Sequence, residues 1–316
     1  MTSHGRKRVV LLGGGHGVAA VAGALDAPGI DLTAIVSVAD DGGSSGELRR
    51  RWGGPAVGDM RRSFIALSGD QAVVARAFER RLALAPFGEH PLGNLLLRSV
   101  AGALGDLETA SAWLAEHLGI RGRVLPGTVE PITLLGETVD GLIRGESSIG
   151  TATAPIKRLR FDPARPASPQ AAIDAIQAAD WVLIGPGSLY TSVLAVAALP
   201  DIAAALRMTP ARVLWICNLE ADRGETLGMT GADHLRALRD HGVRIDAALH
   251  DPRGRLTIVD DGDERPVVFS LALEAGERGV HDTAALRAAL TTVFAARRRP
   301  RAIAGAPSRS AASIAA

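Results

Sequence analysis

Four apolar segments of this sequence each end in a loop of small or polar residues, and a helical segment follows each loop. The apolar segments are Arg8–Leu12, Ile35–Ala39, Trp181–Ile184 and Arg212–Cys217. Short apolar runs of this kind are typical of strands that are buried on both faces of a parallel sheet. Strands that alternate with helices predict an α/β fold with a doubly wound, mainly parallel, Rossmann-like sheet.

The loops after these segments are expected to lie at one edge of the sheet, because the carboxyl ends of parallel strands meet there. The loops are Gly13–Gly17, Asp40–Gly46, Gly185–Ser192 and Asn218–Thr226. Glycine and serine have little side-chain bulk, so the backbone amides of such loops can approach an anion such as phosphate. The convergence of the loops therefore predicts one binding site at this edge.

The first loop joins a strand to a helix, which is the setting in which a helix N-terminus holds phosphate. Its Gly15-x-Gly17-x-x-Ala20 spacing satisfies the dinucleotide-binding pattern. Asp40 and Asp41 follow about 20 residues later, where an acid that binds ribose is expected. A tight turn without a ligand is the alternative, because consecutive glycines satisfy many patterns by chance.

The second loop places two carboxylates, Asp40 and Asp41, before a run of glycine and serine. Carboxylates beside accessible amides suit a hard metal ion such as Mg²⁺ or the hydroxyls of a ribose. The alternative is a solvated turn that only joins a strand to a helix.

Charged and amide side chains near two predicted helix starts are further candidates. Asp59 is expected to cap a helix whose first turn carries Arg61 and Arg62. Because the helix dipole disfavours cations there, a bound anion would offset that cost, and two solvated arginines are the alternative. His90 and Asn94 flank the start of a later apolar helix, where either can cap the helix or face a ligand.

The third loop predicts a second phosphate-binding turn, because it combines glycine, serine and threonine between a strand and a helix. It also contains Tyr190, the only tyrosine of the chain. Ordinary packing is the favoured interpretation of the tyrosine ring, and stacking on a base or a sugar is the alternative.

Composition argues against several other classes of protein. The net charge of +1 and the aromatic content of 3% argue against nucleic-acid binding. The sequence has no uninterrupted apolar segment of membrane length, so membrane insertion is not expected. The single cysteine, Cys217, cannot form an internal disulfide and fits a reducing cytoplasm.

The chain is predicted to form one α/β domain over residues 1–296. An Asp140–Gly141 turn between β-prone runs predicts a small antiparallel hairpin insertion near 124–150. The segment 156–167 is rich in proline and arginine and is predicted to be a loop. Residues 297–316 are a basic and Ala/Ser-rich tail that cannot bury a core, so disorder is expected there.

Several motifs occur together and in order, which carries more information than any single glycine loop. They are Leu12–Gly17, Val38–Gly46, Gly58–Arg61, Gly93–Leu97, Leu125–Pro126, Gly185–Ser192 and Cys217–Asn218. With this series the chain resembles the gluconeogenesis-factor (YvcK-like) family, which is related to 2-phospho-L-lactate transferase (CofD). The resemblance extends from about Val9 to about Asp246 and implies a CofD-like domain.

The resemblance implies a cytoplasmic bacterial protein that binds a nucleotide-sugar of the UDP-N-acetylglucosamine type. Proteins of that family support cell-wall synthesis and cell shape during growth on gluconeogenic carbon. The related transferase moves a phospholactyl group from a guanosine diphosphate donor to a deazaflavin alcohol with Mg²⁺. The Gly-Gly-Ser-Ser-Gly continuation resembles the regulator branch, whereas His16 and Pro91 depart from the family pattern.

The leading hypothesis is a non-catalytic regulator that requires no cofactor, with Mg²⁺ as an option. The first and third loops would hold a diphosphate and Arg61 would neutralise it. Asp40 and Asp41 would bind hydroxyls or a metal, while Asn94 and Asn218 would read sugar or base. The predicted ligand-binding residues are Gly13, Gly14, Gly15, His16, Gly17, Asp40, Asp41, Gly42, Gly43, Ser44, Ser45, Asp59, Arg61, Asn94, Gly185, Pro186, Gly187, Ser188, Tyr190, Thr191 and Asn218.

Two alternatives stay open. A phospholactyl transferase would use in-line attack at phosphorus with Mg²⁺ on Asp40 or Asp41, which would then be catalytic. An NAD(P)-dependent oxidoreductase rests on the first glycine pattern alone. The expected partners are a nucleotide-sugar or related nucleotide diphosphate, a second copy of the chain in a homodimer, and regulatory proteins.

Overall fold

The computed structural model describes residues 6–69, 71–83, 88–221, 224–256, 258, 266–274 and 279–296. The tail predicted over 297–316 lies outside the described residues.

The elements alternate between strands and helices along the described chain. The first half forms β1 (Lys7–Gly13), α1 (Gly15–Leu25), β2 (Ile30–Val36), α2 (Gly43–Trp52), α3 (Gly58–Leu67), α4 (Ala72–Glu79), β3 (Arg81–Ala83), β4 (Glu89–Pro91), α5 (Leu92–Leu104), α6 (Leu107–His117), β5 (Arg123–Pro126), β6 (Thr133–Glu137), β7 (Leu142–Arg144) and α7 (Glu146–Gly150). The second half forms β8 (Arg158–Asp162), α8 (Gln170–Ala178), β9 (Trp181–Ile184), a π-helical turn (Leu189–Val193), α9 (Leu194–Ala197), α10 (Pro200–Met208), β10 (Arg212–Ile216), α11 (Gly231–Asp240), β11 (Ala247–His250), β12 (Val267–Ser270) and α12 (Thr283–Ala295).

A sheet of seven described strands, in the order β12-β11-β10-β9-β1-β2-β5, forms the centre of the molecule. Every neighbouring pair in this sheet is parallel. β9 and β11 are buried at every position, and β1 is buried from Val9 onward. The predicted doubly wound, mainly parallel α/β sheet is therefore confirmed.

The strand order explains why helices cover both faces of this sheet. The chain passes from β1 to β2 in one direction, and from β9 to β10 in the opposite direction. Because crossovers between parallel strands are right-handed, the helices of the two halves lie on opposite faces. On one face α1 packs against α3 and α12, and on the other α8 packs against α10. The order reverses between β1 and β9, which is where ligands of such sheets bind.

A three-stranded antiparallel sheet, in the order β7-β6-β8, follows β5 along the chain. Its β6–β7 hairpin turns around Asp140–Gly141, as the sequence predicts. The prediction of a loop over 156–167 is wrong for the first half of that segment, because β8 pairs with β6 there. Leu159 and Phe161 are buried between exposed charged residues, and this period of two is typical of a half-buried strand.

Helices begin inside three of the predicted loops. α1 starts at Gly15, α2 starts at Gly43, which has a φ of +43°, and the π-helical turn starts at Leu189. The first, second and third loops are therefore shorter than the sequence predicts, and helix N-termini come closer to the sheet edge.

No single helix among the described residues combines the length and the apolar composition needed to cross a membrane. The segments Leu189–Ala197 and Pro200–Met208 reach that threshold only when they are counted together as one pair bent by 68°.

Candidate ligand-binding site

The loops after β1 and β9 meet at the switch point of the sheet. A β-carbon on Gly17 would lie 2.0 Å from the carbonyl oxygen of Pro186, and one on Gly187 would lie 3.7 Å from the carbonyl oxygen of Gly14. Glycine at position 17 is required for this approach, because any side chain there would collide with backbone atoms. α1 begins at Gly15, so the N–H groups of its first turn, which have no partner within the helix, lie at the meeting point.

A crevice of about 420 Å³ opens between these two loops. The predicted site residues that line it are Gly14, Gly15, His16, Gly17, Pro186, Gly187, Ser188 and Asn218. Gly13 and Gly185 lie next to it at the strand ends, where the Gly185 N–H donates to the Leu12 carbonyl at 2.9 Å. The structure therefore brings the first, third and fourth predicted loops to one place.

Asn218 shapes the turn after β9 from the end of β10. Its Oδ1 accepts a hydrogen bond from the Gly187 N–H, and its Nδ2 donates to the Gly187 carbonyl, both at 2.9 Å. The sequence predicts that Asn218 reads a sugar or a base. In the structure its amide instead fixes the backbone of a turn that lines the crevice.

Asp59 connects the first loop to α3. Its Oδ1 accepts from the Gly15 N–H at 3.0 Å and from Arg62 Nη1 at 2.7 Å. Burial raises the pKa of this carboxyl, the charge of Arg62 lowers it, and the charge of Asp40 raises it. The prediction that Asp59 caps α3 is wrong, because its carboxylate reaches across to α1 and Val57 precedes the helix.

Arg62, and not Arg61, is the cation beside Asp59. Successive helix residues point about 100° apart, and Arg61 lies against α4 and α5. A β-carbon on Gly93 would lie 2.8 Å from Arg61 Cγ and 2.6 Å from Phe78 Cδ1. The role of Arg61 as a counter-charge for phosphate stays a prediction.

Asp41 caps α7 and thereby ties the second loop to the antiparallel sheet. Its Oδ1 accepts from the Ser147 N–H at 3.0 Å and from the Ser147 hydroxyl at 2.7 Å. Its Oδ2 accepts from the Glu146 N–H at 3.0 Å. Both carboxylate oxygens therefore have partners within the protein.

Asp40 is turned toward its own loop and toward α3. Its Oδ1 accepts from the Gly42 N–H at 2.9 Å. A β-carbon on Gly58 would lie 2.8 Å from Asp40 Oδ2 and 2.6 Å from Ser45 Oγ. Asp40, Ser45 and Asp59 thus lie around the start of α3, and Asp59 extends this group to the crevice.

The predicted metal site at Asp40 and Asp41 does not fit these contacts. The part of the chain that the structure describes contains no group of three or more His, Cys, Asp or Glu side chains arranged to hold a metal ion. Asp41 would have to release the N-terminus of α7 to become a ligand. With Asp41 engaged in this way, Asp40 Oδ2 is the one carboxylate oxygen of the pair without a hydrogen-bond partner among the described residues. One oxygen is too few to hold a metal ion without further ligands from a substrate or water.

Glu146 adds a carboxyl that sequence analysis did not identify. Burial, and to a smaller extent the negative charges of Asp40, Asp41 and Asp59, raise its pKa from 4.5 to about 7, against the charge of Arg62. This corner of the site therefore holds a partly protonated carboxyl near neutral pH. The glutamate lies outside the glycine-rich motifs, so only the fold brings it here.

Ser44, His90 and Asn94 form a hydrogen-bonded group from α2, β4 and α5. Asn94 Nδ2 donates to Ser44 Oγ at 3.1 Å, and Ser44 Oγ lies 2.9 Å from His90 Nδ1. His90 and Asn94 are buried. Pro91 ends β4, and α5 begins at the next residue, which explains how the family departure at this position still delivers Asn94 to the second loop.

Tyr190 and Thr191 are turned away from the crevice. Their N–H groups donate to the Glu225 carboxylate at 2.8 and 3.1 Å, and the Tyr190 hydroxyl donates to the Ile156 carbonyl at 2.8 Å. Tyr190 is 2% exposed, with its ring edge-on to His241. Ordinary packing of this ring is therefore confirmed, and the assignment of Tyr190 to the ligand-binding residues is contradicted, because the ring belongs to the core.

Sequence analysis also missed residues that hold or line the site. Arg49 donates to the carbonyls of Ala39 and Asp40 at 2.9 and 3.1 Å and so fixes the second loop. Glu220 and His281 line the crevice opposite the glycine loops. They lie in segments without a glycine-rich or motif-like pattern, so no sequence signal marks them.

Comparisons with known proteins give matches over most of the chain. Residues 9–296 match the family model described as 2-phospho-L-lactate transferase CofD. The gluconeogenesis factor of Halalkalibacterium halodurans is 40% identical over 250 residues, with 78% of each chain covered. The gluconeogenesis factor of Bacillus subtilis is 38% identical over 238 residues, with 75% of each chain covered.

Longer relatives and a solved structure extend the comparison. A putative gluconeogenesis factor from Nostoc is 41% identical over 233 residues, and the match spans 51% of that protein. A crystal structure of a UPF0052-family protein from Bacillus halodurans superposes with a TM-score of 0.82 at 34% identity. That superposition covers 90% of this chain and 99% of the other.

Proposed function

The chain belongs to the CofD family, and from that premise we propose that it is a cytoplasmic, nucleotide-sugar-binding regulator of gluconeogenic growth. The resemblance to gluconeogenesis factors is confirmed by the relatives that carry that name. The proposed ligand is UDP-N-acetylglucosamine or a close relative of it. The proposed consequence of binding is control of cell-wall synthesis and cell shape, through a homodimer and regulatory protein partners.

The observation that carries this proposal is the closure of the α1 N-terminus on the turn after β9. Gly15 and Gly17 lie on one side of the crevice, and Gly187 and Ser188 lie on the other. Asp59 and Asn218 already accept the Gly15 and Gly187 N–H groups. The donors that remain are the N–H groups of His16 and Gly17 on one side and the hydroxyl of Ser188 on the other, and such groups bind phosphate oxygens. Two donor-lined walls suit two linked phosphates, which is the feature that nucleotide-sugars share.

The contacts of the aspartate pair favour binding over chemistry. Asp41 is engaged in the cap of α7, and Asp40 closes the turn of its own loop. A regulator needs neither carboxylate free. The NAD(P) hypothesis gains nothing from the same geometry, because a ribose-binding acid is expected at Asp40 or Asp41 and neither is among the described residues that line the crevice.

Calorimetric titration with UDP-N-acetylglucosamine tests the proposal. We expect saturable binding to the wild type and binding at least about tenfold weaker in Ser188→Asp, because a carboxylate in the crevice repels phosphate. Ser99→Asp on the exposed side of α5 is the matched control and should bind like the wild type. Absence of heat with the wild type at millimolar ligand would reject the proposal.

A second candidate function is favoured by the family match itself. A CofD-type enzyme would transfer a phospholactyl group from a guanosine diphosphate donor to a deazaflavin alcohol. The test is release of GMP from the donor when the acceptor and Mg²⁺ are present, with Asp40→Asn as the inactive control. Turnover above that control would make the chain a transferase, and its absence would support the regulator.

A further inference from the structure

We propose that His281 determines ligand specificity in the crevice by accepting a hydrogen bond from a ribose hydroxyl of the bound nucleotide. The inference rests on the proposed function and names a contact within the same site. His281 lies just before α12 and lines the crevice together with the glycine loops.

One ring nitrogen of His281 is already committed to the protein. Its Nε2 lies 3.0 Å from the carbonyl oxygen of Cys217, and a carbonyl can only accept, so Nε2 carries the proton. In a neutral imidazole the other nitrogen, Nδ1, then holds a free lone pair. Burial lowers the pKa of the ring, which keeps the ring neutral near pH 7. The described residues supply no donor to Nδ1.

The position of this lone pair matters because the glycine loops contribute donors to the opposite side of the crevice. The N-terminus of α1 offers the His16 and Gly17 N–H groups, and Ser188 offers its hydroxyl, whereas the Gly15 and Gly187 N–H groups are bound by Asp59 and Asn218. These groups suit phosphate oxygens. A backbone N–H group only donates, however, and cannot accept a hydrogen bond from a sugar hydroxyl. In related folds an acid after the second strand accepts from ribose. Here Asp41 is engaged with α7, Asp40 Oδ2 faces the start of α3, and neither aspartate is among the described residues that line the crevice. The acceptor side of the site is therefore the wall that carries His281.

A second acceptor lies beside His281 and indicates the chemical class of the ligand group. Glu220 lines the same wall, and a β-carbon on Gly279 would lie 3.0 Å from its Oε1. Its other oxygen, Oε2, lies 3.4 Å from Arg255 Nη1. A neutral nitrogen acceptor and a carboxylate oxygen on neighbouring segments match the two adjacent hydroxyls of a ribose that is attached to the phosphate.

The experiment removes the two partners of the proposed contact separately. UDP-N-acetylglucosamine and its 2′-deoxy and 3′-deoxy ribose analogues are titrated into the full chain and into His281→Gln. Glutamine can keep the donor to the Cys217 carbonyl but lacks the acceptor at the Nδ1 position. His117→Gln is the matched control, because His117 is exposed on α6 and bonds to the carbonyl of Trp113 in its own helix.

For the wild type we expect one of the two deoxy analogues to bind about 3- to 10-fold more weakly, which is the usual effect of losing one neutral hydrogen bond. In His281→Gln that ratio should fall to about one, and in His117→Gln it should remain at the wild-type value. If His281→Gln does not fold, the ¹⁵N resonance of Nδ1 in the wild type decides. It should shift when the full ligand binds and stay unchanged with the discriminated analogue.

The outcomes separate this inference from the proposed function. If the wild type binds the nucleotide-sugar but does not discriminate between the ribose analogues, the role of His281 is rejected. The same holds if His281→Gln discriminates as strongly as the wild type. Either result leaves the regulator proposal standing. Wild type that binds no nucleotide-sugar at all rejects the regulator proposal, and the role of His281 with it.

Discussion

At the scale of single residues, the contact between Gly17 and Pro186 is the most demanding feature of the site. Alanine at position 17 would place a carbon 2.0 Å from a backbone oxygen, so α1 and the turn after β9 must separate. We expect Gly17→Ala to lower the free energy of unfolding by about 2–3 kcal/mol, as overpacking does, and to abolish nucleotide binding. Urea unfolding and calorimetry measure the two effects.

Gly23→Ala in the same helix is the control for this prediction. A β-carbon there would have only Thr283 Cγ2 within 4 Å, at 3.5 Å. Because alanine favours helix over glycine by up to about 1 kcal/mol, this variant should be as stable as the wild type or more stable. Equal stability of the two variants would show that the loops are not in contact.

Glu146 should make stability depend on pH in a direction unusual for an acid. Its pKa is raised from 4.5 to about 7 in the folded protein, so the native state binds more protons than the unfolded state between these values. Stability contributed by this group is present below about pH 4.5 and is lost as pH rises through about 7. Because the side chain is partly exposed, the loss is about 1–2 kcal/mol after screening.

Glu146→Gln should remove this loss. The measurement is the free energy of unfolding of both proteins at pH 5 and pH 8, and the variant should gain about 1–2 kcal/mol on the wild type at the higher pH. Glu116→Gln, exposed on α6, is the matched control. A wild type and a Glu146→Gln variant that respond equally to pH would contradict the acidic environment described here.

At the scale of elements, Asp41 joins the second loop to the antiparallel sheet through α7. Removing its carboxylate leaves the donors of Glu146 and Ser147 without their partner. We expect Asp41→Ala to cost about 2 kcal/mol of stability and Ser147→Ala, which loses only the hydroxyl bond, about 0.5–1 kcal/mol. In the Asp41→Ala background the serine change should cost almost nothing, and denaturant unfolding of the four proteins measures this coupling.

The elements also show what could be predicted from sequence. The strand Trp181–Ile184 is found as predicted, because local pattern determines it. β8 was missed because arginines occupy its exposed positions and prolines follow it in the segment 156–167, although Leu159 and Phe161 alternate with charged residues. The glycine loops of the site could also be identified from local pattern. Their backbone approaches another backbone closely, and this approach requires glycine in the sequence.

The missed site residues share a different property. Glu146, Glu220 and His281 act through neighbours that are distant in sequence, such as the Cys217 carbonyl that orients His281. The prediction that Tyr190 contacts the ligand is wrong for a related reason. Its polar atoms bond to Glu225 and Ile156, which are distant in sequence. A sequence motif reports the local backbone, and these roles depend on which segments the strand order brings together.

At the scale of the whole molecule, the crevice lies where the two halves of the sheet join. β2 and β5 lie on one side of the β1–β9 pair, and β10, β11 and β12 lie on the other. A diphosphate held by both α1 and the turn at Gly187 would connect the halves. At a ligand concentration 100 times its dissociation constant, we expect the free energy of unfolding to rise by about 2.7 kcal/mol, which thermal or urea unfolding with and without UDP-N-acetylglucosamine measures.

Hydrogen exchange can show whether the ligand bridges the halves or binds only one of them. The amides of 15–17 report the first loop, and those of 187–188 report the turn after β9. If one diphosphate contacts both, exchange at both segments should slow by at least about tenfold, with the same half-saturating ligand concentration, because one binding event protects them. The amides of α6, far from the crevice along the sheet, are the internal reference. Slowing confined to 15–17 would mean that α1 alone holds the phosphate, and the turn fixed by Asn218 would then have no part in binding.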